Sequence, residues 1–292
     1  MTRPQRDLIQ VVPPTDLPTP ESGQPRRKRP TDLIVGLVLV GVIVVLGLLA
    51  PVLAAYDPYR QTPNANLLAP SWEHLLGTDS LNRDVFSRLL YGIQTTLIVL
   101  AISVPIGAII GTLLGLLAAS SRVIDVISDR FFDVVLAFPA LILAIAVTAI
   151  RGPGIATVII AIAISEIPVF GRLARSSARR VNAQPYIESA RLAGASRGWL
   201  LRKHVLPNSV EATIVQLALS LSLAVFIEAA MSFIGVGVRP PRPSLGSALA
   251  EGVYTWDVNP GLPIGSLAVI ITLTLGLLLI AQGLGKVRRG AQ

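Results

Sequence analysis

Cysteine is absent from this 292-residue chain, which excludes disulfides and thiolate metal sites and leaves the redox compartment unmarked. Histidine occurs only as His74 and His204, expected on opposite sides of a membrane, so no imidazole-based metal site or catalytic triad is assembled. Charge is scarce: 14% of residues are charged and 52% hydrophobic, whereas a soluble domain carries about a quarter charged residues. This is a membrane composition. A phosphate-cradling Gly-x-x-x-x-Gly-Lys-Ser/Thr loop is also missing, because the one Gly-Lys pair, Gly285-Lys286, is followed by Val287. The net charge of +8 does not indicate a nucleic-acid partner. Its basic residues sit at the ends of apolar runs and are not interleaved with aromatics on one face.

The apolar runs organise the chain. A helix needs about 20 apolar residues to cross the hydrocarbon core. The sequence supplies six such stretches: 33–55, 89–121 with its helix starting near Ile93, 134–150, 154–170, 212–238 and 262–285. The third and fourth are joined by the tight Arg151-Gly152-Pro153 hairpin. Residues 1–32 read as a disordered tail, with prolines at 4, 13, 14, 18, 20, 25 and 30 and no apolar stretch of the kind a signal peptide needs. Arg26-Arg27-Lys28-Arg29 reads as a stop anchor before the first span.

Basic residues orient the bundle. With the N-terminus inside, 19 Lys and Arg fall on the inner side and six on the outer side, so both termini and the 171–208 loop are expected in the cytoplasm. Residues 56–92 become an extracytoplasmic segment with an interfacial helix, 93–285 a five-helix transmembrane domain, and 286–292 a cytoplasmic tail.

The polar insert 171–208 contains Glu188-Ser189-Ala190-Arg191-Leu192-Ala193-Gly194, and Pro207 follows in Leu206-Pro207-Asn208. The pattern predicts a short helix, a sharp turn at Gly194 and a second helix ended by Pro207 before the fifth span. This stretch resembles the EAA loop of importer-type ATP-binding-cassette (ABC) permeases. The matching positions are Glu188, Ala190, Gly194 and Val205-Leu206-Pro207, with Ser189 at the family's central alanine and His204 at its usual isoleucine. Two further stretches resemble the "C" permeases of the dipeptide, oligopeptide and nickel group: His74-Leu75-Leu76-Gly77-Thr78-Asp79-Ser80-Leu81-Asn82-Arg83-Asp84, and Glu228-Ala229-Ala230-Met231-Ser232-Phe233-Ile234-Gly235-Val236-Gly237. Pro240-Pro241 and Ser244-Leu245-Gly246 extend the second match. Asn82 and Gln94 depart from the group's usual glycine and arginine.

The resemblance implies an all-α polytopic membrane protein with six transmembrane helices and the type I ABC importer permease fold, in a bacterial plasma membrane. It implies a second homologous permease, two ATPase subunits that carry ATP and Mg, and an extracytoplasmic binding protein, with no cofactor on this chain. Glu188, Ser189, Ala190, Gly194, Ala195, Trp199, Leu206 and Pro207 are then the ATPase-coupling residues. Di- or oligopeptides are the implied cargo, with nickel, heme or another small solute as the alternative. An ion-coupled carrier would need ionisable residues at mid-depth and repeated spans.

Several residues have two readings. Glu188 either docks the ATPase or pairs with Arg191 at i,i+3. Trp199, with Leu200, is either a docking knob or a membrane-interface anchor. Glu228 stands 17 residues beyond Glu211, about 25 Å along a helix, near the outer interface with access to water, and so is a candidate for an outer gate. Glu166 is expected to snorkel or pair toward Arg172. Asp79–Arg83 and Asp84–Arg88 form i,i+4 pairs if that segment is helical, either pinning it or contributing to the outer gate.

Overall fold

Backbone groups in hydrocarbon must be satisfied within their own segment, so apolar runs become helices. The computed structural model describes residues 31–119 and 121–289. Residues 1–30 of the expected tail, including Arg26–Arg29, and residues 290–292 lie outside the described residues. The helices are α1 (Thr31–Leu48), α2 (Ala50–Leu53), α3 (Val85–Ala118), α4 (Arg122–Ala137), α5 (Ala140–Arg151), α6 (Ile155–Asn182), α7 (Pro185–Leu192), α8 (Arg197–Leu200), α9 (Leu206–Phe233), α10 (Leu245–Tyr254) and α11 (Gly261–Arg289). A π-helical turn, Leu201–Val205, joins α8 to α9. Among the described residues the β structure is a single bridge between Thr78 and Asp84.

Five helices, α1, α3, α6, α9 and α11, are long and apolar enough to cross a membrane, and α4 with α5 makes a sixth span bent by 92°. The expected third span, 134–150, is therefore not one straight helix. It breaks at Phe138-Pro139, because proline disfavours helical geometry in the residue before it, and Phe138 adopts an extended backbone. Apolar runs alone do not reveal this, since Phe and Pro leave the run unbroken.

Three other boundaries differ from the sequence reading. The segment 54–84 holds turns and no helix, so the expected interfacial helix is absent, and α3 begins at Val85 instead of near Ile93. Positive φ at Gly77 (75°) and Asn82 (60°) breaks helical geometry there, and Asp84 caps α3 by accepting from Ser87 N. Pro207 does not end a helix. The wider π turn, closed by Leu206 N–H to Leu201 O, precedes it, and Pro207 sits in the first turn of α9, where a missing N–H is tolerated. The fifth span ends at Phe233, with Gly235 at φ 87°.

The bundle is knit by close backbone approaches. On α3, Gly107, Gly111 and Gly115 present one face to α6. A Cβ on Gly111 would stand 2.3 Å from Ile167 O, and one on Gly115 2.2 Å from Gly171 O. Small residues four apart let helices touch where hydrophobic burial gives no driving force between them. The first and last spans meet in the same way, with Gly36 against Gly276 and Ile280, and Leu33 against Gly283. The core includes Ile93, Val99, Val158, Ile162, Val225, Met231 and Leu273.

Candidate functional site

The 171–208 loop is built from α6 outward. The last turns of α6 carry the chain past the bundle into α7, which returns through α8 and the π turn to α9. Ile187, Leu200 and Val205 are buried, and Val205 joins Leu116, Ala174 and Ala178 in a small apolar cluster that ties the loop to α3 and α6. Beside it an open cavity of about 510 Å³ is lined by Asn182, Arg191, Ala195 and Leu201.

The spacing from Ala190 to Gly194 to Ala195 has a backbone reason. Gly194 has φ 89° and donates to Arg191 O, while Ala195 N–H reaches back to Ala190 O at 3.0 Å. These paired bonds close α7 in a Schellman turn, where glycine supplies the left-handed conformation. The expected turn at Gly194 is present.

Of the eight loop residues named from sequence, Glu188, Ser189, Gly194, Trp199, Leu206 and Pro207 are exposed, and Ala190 and Ala195 are half-buried. Ser189 Oγ donates to Pro185 O. Arg191 does not turn to Glu188; it donates to Asn182 Oδ1 at 3.0 Å, leaving the Glu188 carboxylate facing outward. His204 lies between two aromatic rings, 5.5 Å from Tyr186 and 5.2 Å from Trp199, fastening α7 to α8. Leu192, which the sequence reading did not single out, is 86% exposed near the end of α7. An apolar side chain left bare inside a charged loop is the signal that marks it.

The opposite end of the bundle is closed by residues 56–84, α10 and the segment after it. Asp79 is the anchor: Oδ2 lies 2.7 Å from Arg83 Nε and 3.2 Å from Arg88 Nε, while Oδ1 accepts from the N–H groups of Leu81 and Arg83. Glu251 of α10 reaches Arg83 at 3.4 Å and Ser80 Oγ at 2.7 Å. The expected Asp79–Arg83 pair forms, but in a turn. The expected Asp84–Arg88 pair does not, because Asp84 caps α3 and takes His74 Nδ1 at 2.9 Å. Asn259 donates one amide group to Leu76 O and Thr78 O, both at 3.1 Å, stitching this early loop to the threshold of α11.

Glu228 does not reach water. It is 0% exposed in this chain and accepts from Thr96 Oγ1 at 2.9 Å and from Ser232 Oγ at 3.0 Å, joining α9 to α3. Glu166 is also buried, and its partner is Ser220 Oγ on α9 at 2.5 Å, not Arg172. Arg172 pairs instead with Asp133 on α4 at 2.5 Å. Among the described residues no cluster of His, Asp and Glu has metal-binding geometry. Asp79, Arg83 and Glu228 are thus packed into the chain's own interior, not gathered at one opening.

This arrangement is that of a multi-pass, helical membrane protein. Residues 111–286 match the family described as binding-protein-dependent transport system inner membrane component, and residues 33–70 match the N-terminal transmembrane domain of oligopeptide transport permease C. The chain belongs to this family of ABC importer permeases. It is 36% identical over 252 residues to the dipeptide transport system permease protein of Alkalihalophilus pseudofirmus, covering 86% of this chain and 83% of that one. The di/tripeptide transport system permease protein of Pseudomonas aeruginosa is 43% identical over 74% of each chain. The glutathione transport system permease protein of Escherichia coli is 39% identical over 95% of this chain and 93% of its own. Among solved structures, the inward-facing methionine ABC transporter MetNI shares the fold with a TM-score of 0.52 at 20% identity, over 70% of this chain and 96% of that one.

Proposed function

We propose that this chain, with a second permease, forms the path by which an extracytoplasmic binding protein's di- or oligopeptides enter a bacterial cell across its plasma membrane. Two ATPase subunits, carrying ATP and Mg, dock on the cytoplasmic loop 171–208 and drive the spans between inward- and outward-open states. The observation that carries the docking role is the exposed surface of Glu188, Leu192 and Trp199 on a loop held to α3 and α6 by one small apolar cluster. The peptide relatives and the match of residues 33–70 support the cargo.

The test uses the reconstituted complex of both permeases, ATPases and binding protein. Gly194→Trp with Glu188→Lys is expected to abolish ATP-dependent peptide uptake and much of the ATPase association. Full uptake by the double variant would sink the docking role. Uptake of nickel or heme, with none of peptide, would sink the cargo alone.

A further inference from the structure

The loop end of the bundle contains a fastening that the docking role does not use. Helix α4 lies antiparallel to the last turns of α6, and charged side chains join them rung by rung. Asp125 lies 2.5 Å from both Arg175 and Arg179, Asp129 pairs with Arg175, and Asp133 lies 2.5 Å from Arg172. The carboxylates recur every four residues and the arginines at spacings of three and four, so each set forms one helix face. Beside the Asp133–Arg172 rung the Phe132 ring packs where Gly171 has no side chain, completing the seam.

Just past the seam the third span breaks, α6 runs on as one helix, and a proline stands in each. Proline at 139 follows the 92° bend between α4 and α5, and Pro168 lies inside α6, where it removes an intrahelical bond. On the far side of the prolines the contacts are of another kind. Helix α5 packs with the first half of α6 through Ala144, Val158 and Ile162, and Thr148 donates to Val236 O past the end of α9. At the level of these prolines the third span is divided and α6, though continuous, changes neighbours, from α5 in the apolar core to α4 across the charged seam. The zipped half of α6 runs directly into α7.

We infer that α4 and the foot of α6, 171–182, form one lever, so that motion imposed on the docking loop is carried into the inner half of the third span while α5 stays with the core. Asp125, Asp129 and Asp133 are positioning residues for transport. Partly exposed ion pairs contribute little to stability singly, so the ladder's effect lies in fixing α4 to α6 in register. The apolar, exposed opposite face of α4, at Val123, Ile127 and Val134, then moves with the loop. This inference rests on the docking role proposed above.

The absence of cysteine makes the test direct, because paired cysteines in this chain, labelled before it is assembled with its partners, carry spin labels without background from the chain itself. In the reconstituted complex three distances are read by pulsed electron paramagnetic resonance, without and with ATP: V126C/R180C within the lever, V126C/I150C across the bend, and I150C/R180C from α5 to the foot of α6. The second and third are expected to shift together on ATP binding while the first stays fixed. A shift in the third and first with the second unmoved overturns the lever and leaves the docking role standing. No shift in the third overturns both. In parallel, D133R and R172D are each expected to lower transport per ATP hydrolysed by about fivefold, and the exchanged pair D133R/R172D to restore it. Loss persisting in the exchanged pair, with ATPase binding intact, overturns the lever as well.

Discussion

The Phe132 ring fills the place of a side chain on Gly171: a Cβ there would stand 2.3 Å from Cζ of the ring. The same glycine offers its carbonyl to the face of Gly115, so one residue joins α3, α4 and α6. Gly171→Leu is expected to force these helices apart at a cost of about 1–3 kcal/mol or more. Gly41→Ala on α1, where nothing lies within 4 Å, is expected to keep or slightly raise stability, because alanine favours the helix over glycine. Thermal unfolding of the purified protein in detergent separates the two.

A second expectation concerns the buried carboxylate of Glu228. Glu228→Ala removes the acceptor of Thr96 and Ser232, and each buried hydroxyl left unsatisfied costs about 1–3 kcal/mol. Glu228→Gln keeps an acceptor oxygen of the same shape and is expected to recover most of the loss. An equal drop in thermal midpoint for both variants would show that the negative charge, and not acceptance as such, holds α9 to α3.

At the cap end, Asp79→Ala leaves the buried Arg83 and Arg88 with only their longer contacts to Glu251, at 3.4 and 3.8 Å. Breaking a buried pair from one side costs about 3–5 kcal/mol, so this variant is expected to lose more folded protein than Glu251→Ala, whose carboxylate is partly exposed. The yield of monodisperse protein after extraction measures the difference.

Trp199 gives a fourth test. It is half-exposed and touches His204. Trp199→Ala is expected to weaken ATPase association by about tenfold or more, as truncation of an aromatic interface anchor does, while shifting the thermal midpoint little. Unchanged ATPase affinity in a titration would return Trp199 to the role of a membrane-interface anchor.

The legible part of this fold is the part set by local pattern. The runs that become α1, α3, α9 and α11 are long and apolar, and the turn at Gly194 follows from glycine's access to positive φ. The family resemblance rested on contiguous residues, and the relatives agree with it. Asp125, Asp129 and Asp133 carried a visible four-residue period, but their partners on α6 were counted only as orienting charge. Glu228 and Glu166 were misplaced for a different reason: their partners, Thr96 and Ser220, lie 132 and 54 residues away, and no local rule brings those hydroxyls to them. The segment before α3 looked helical because Asp79 and Arg83 are four apart, yet a turn with Asn82 in the left-handed region gives the same pairing.

The clasp of Asn259 on the carbonyls of Leu76 and Thr78 sets an order of events during synthesis. A ribosome delivers residues 65–78 long before Asn259, and α11 later still, so the early loop waits with its carbonyls uncapped while four more spans are threaded into the bilayer. The glycine face of α1 waits as long for Gly276 and Gly283. Contacts so distant along the chain form last. Completion of this permease is therefore registered at its two termini together, and a nascent chain halted before α11 bears an open seam along its first helix and an unclosed cap.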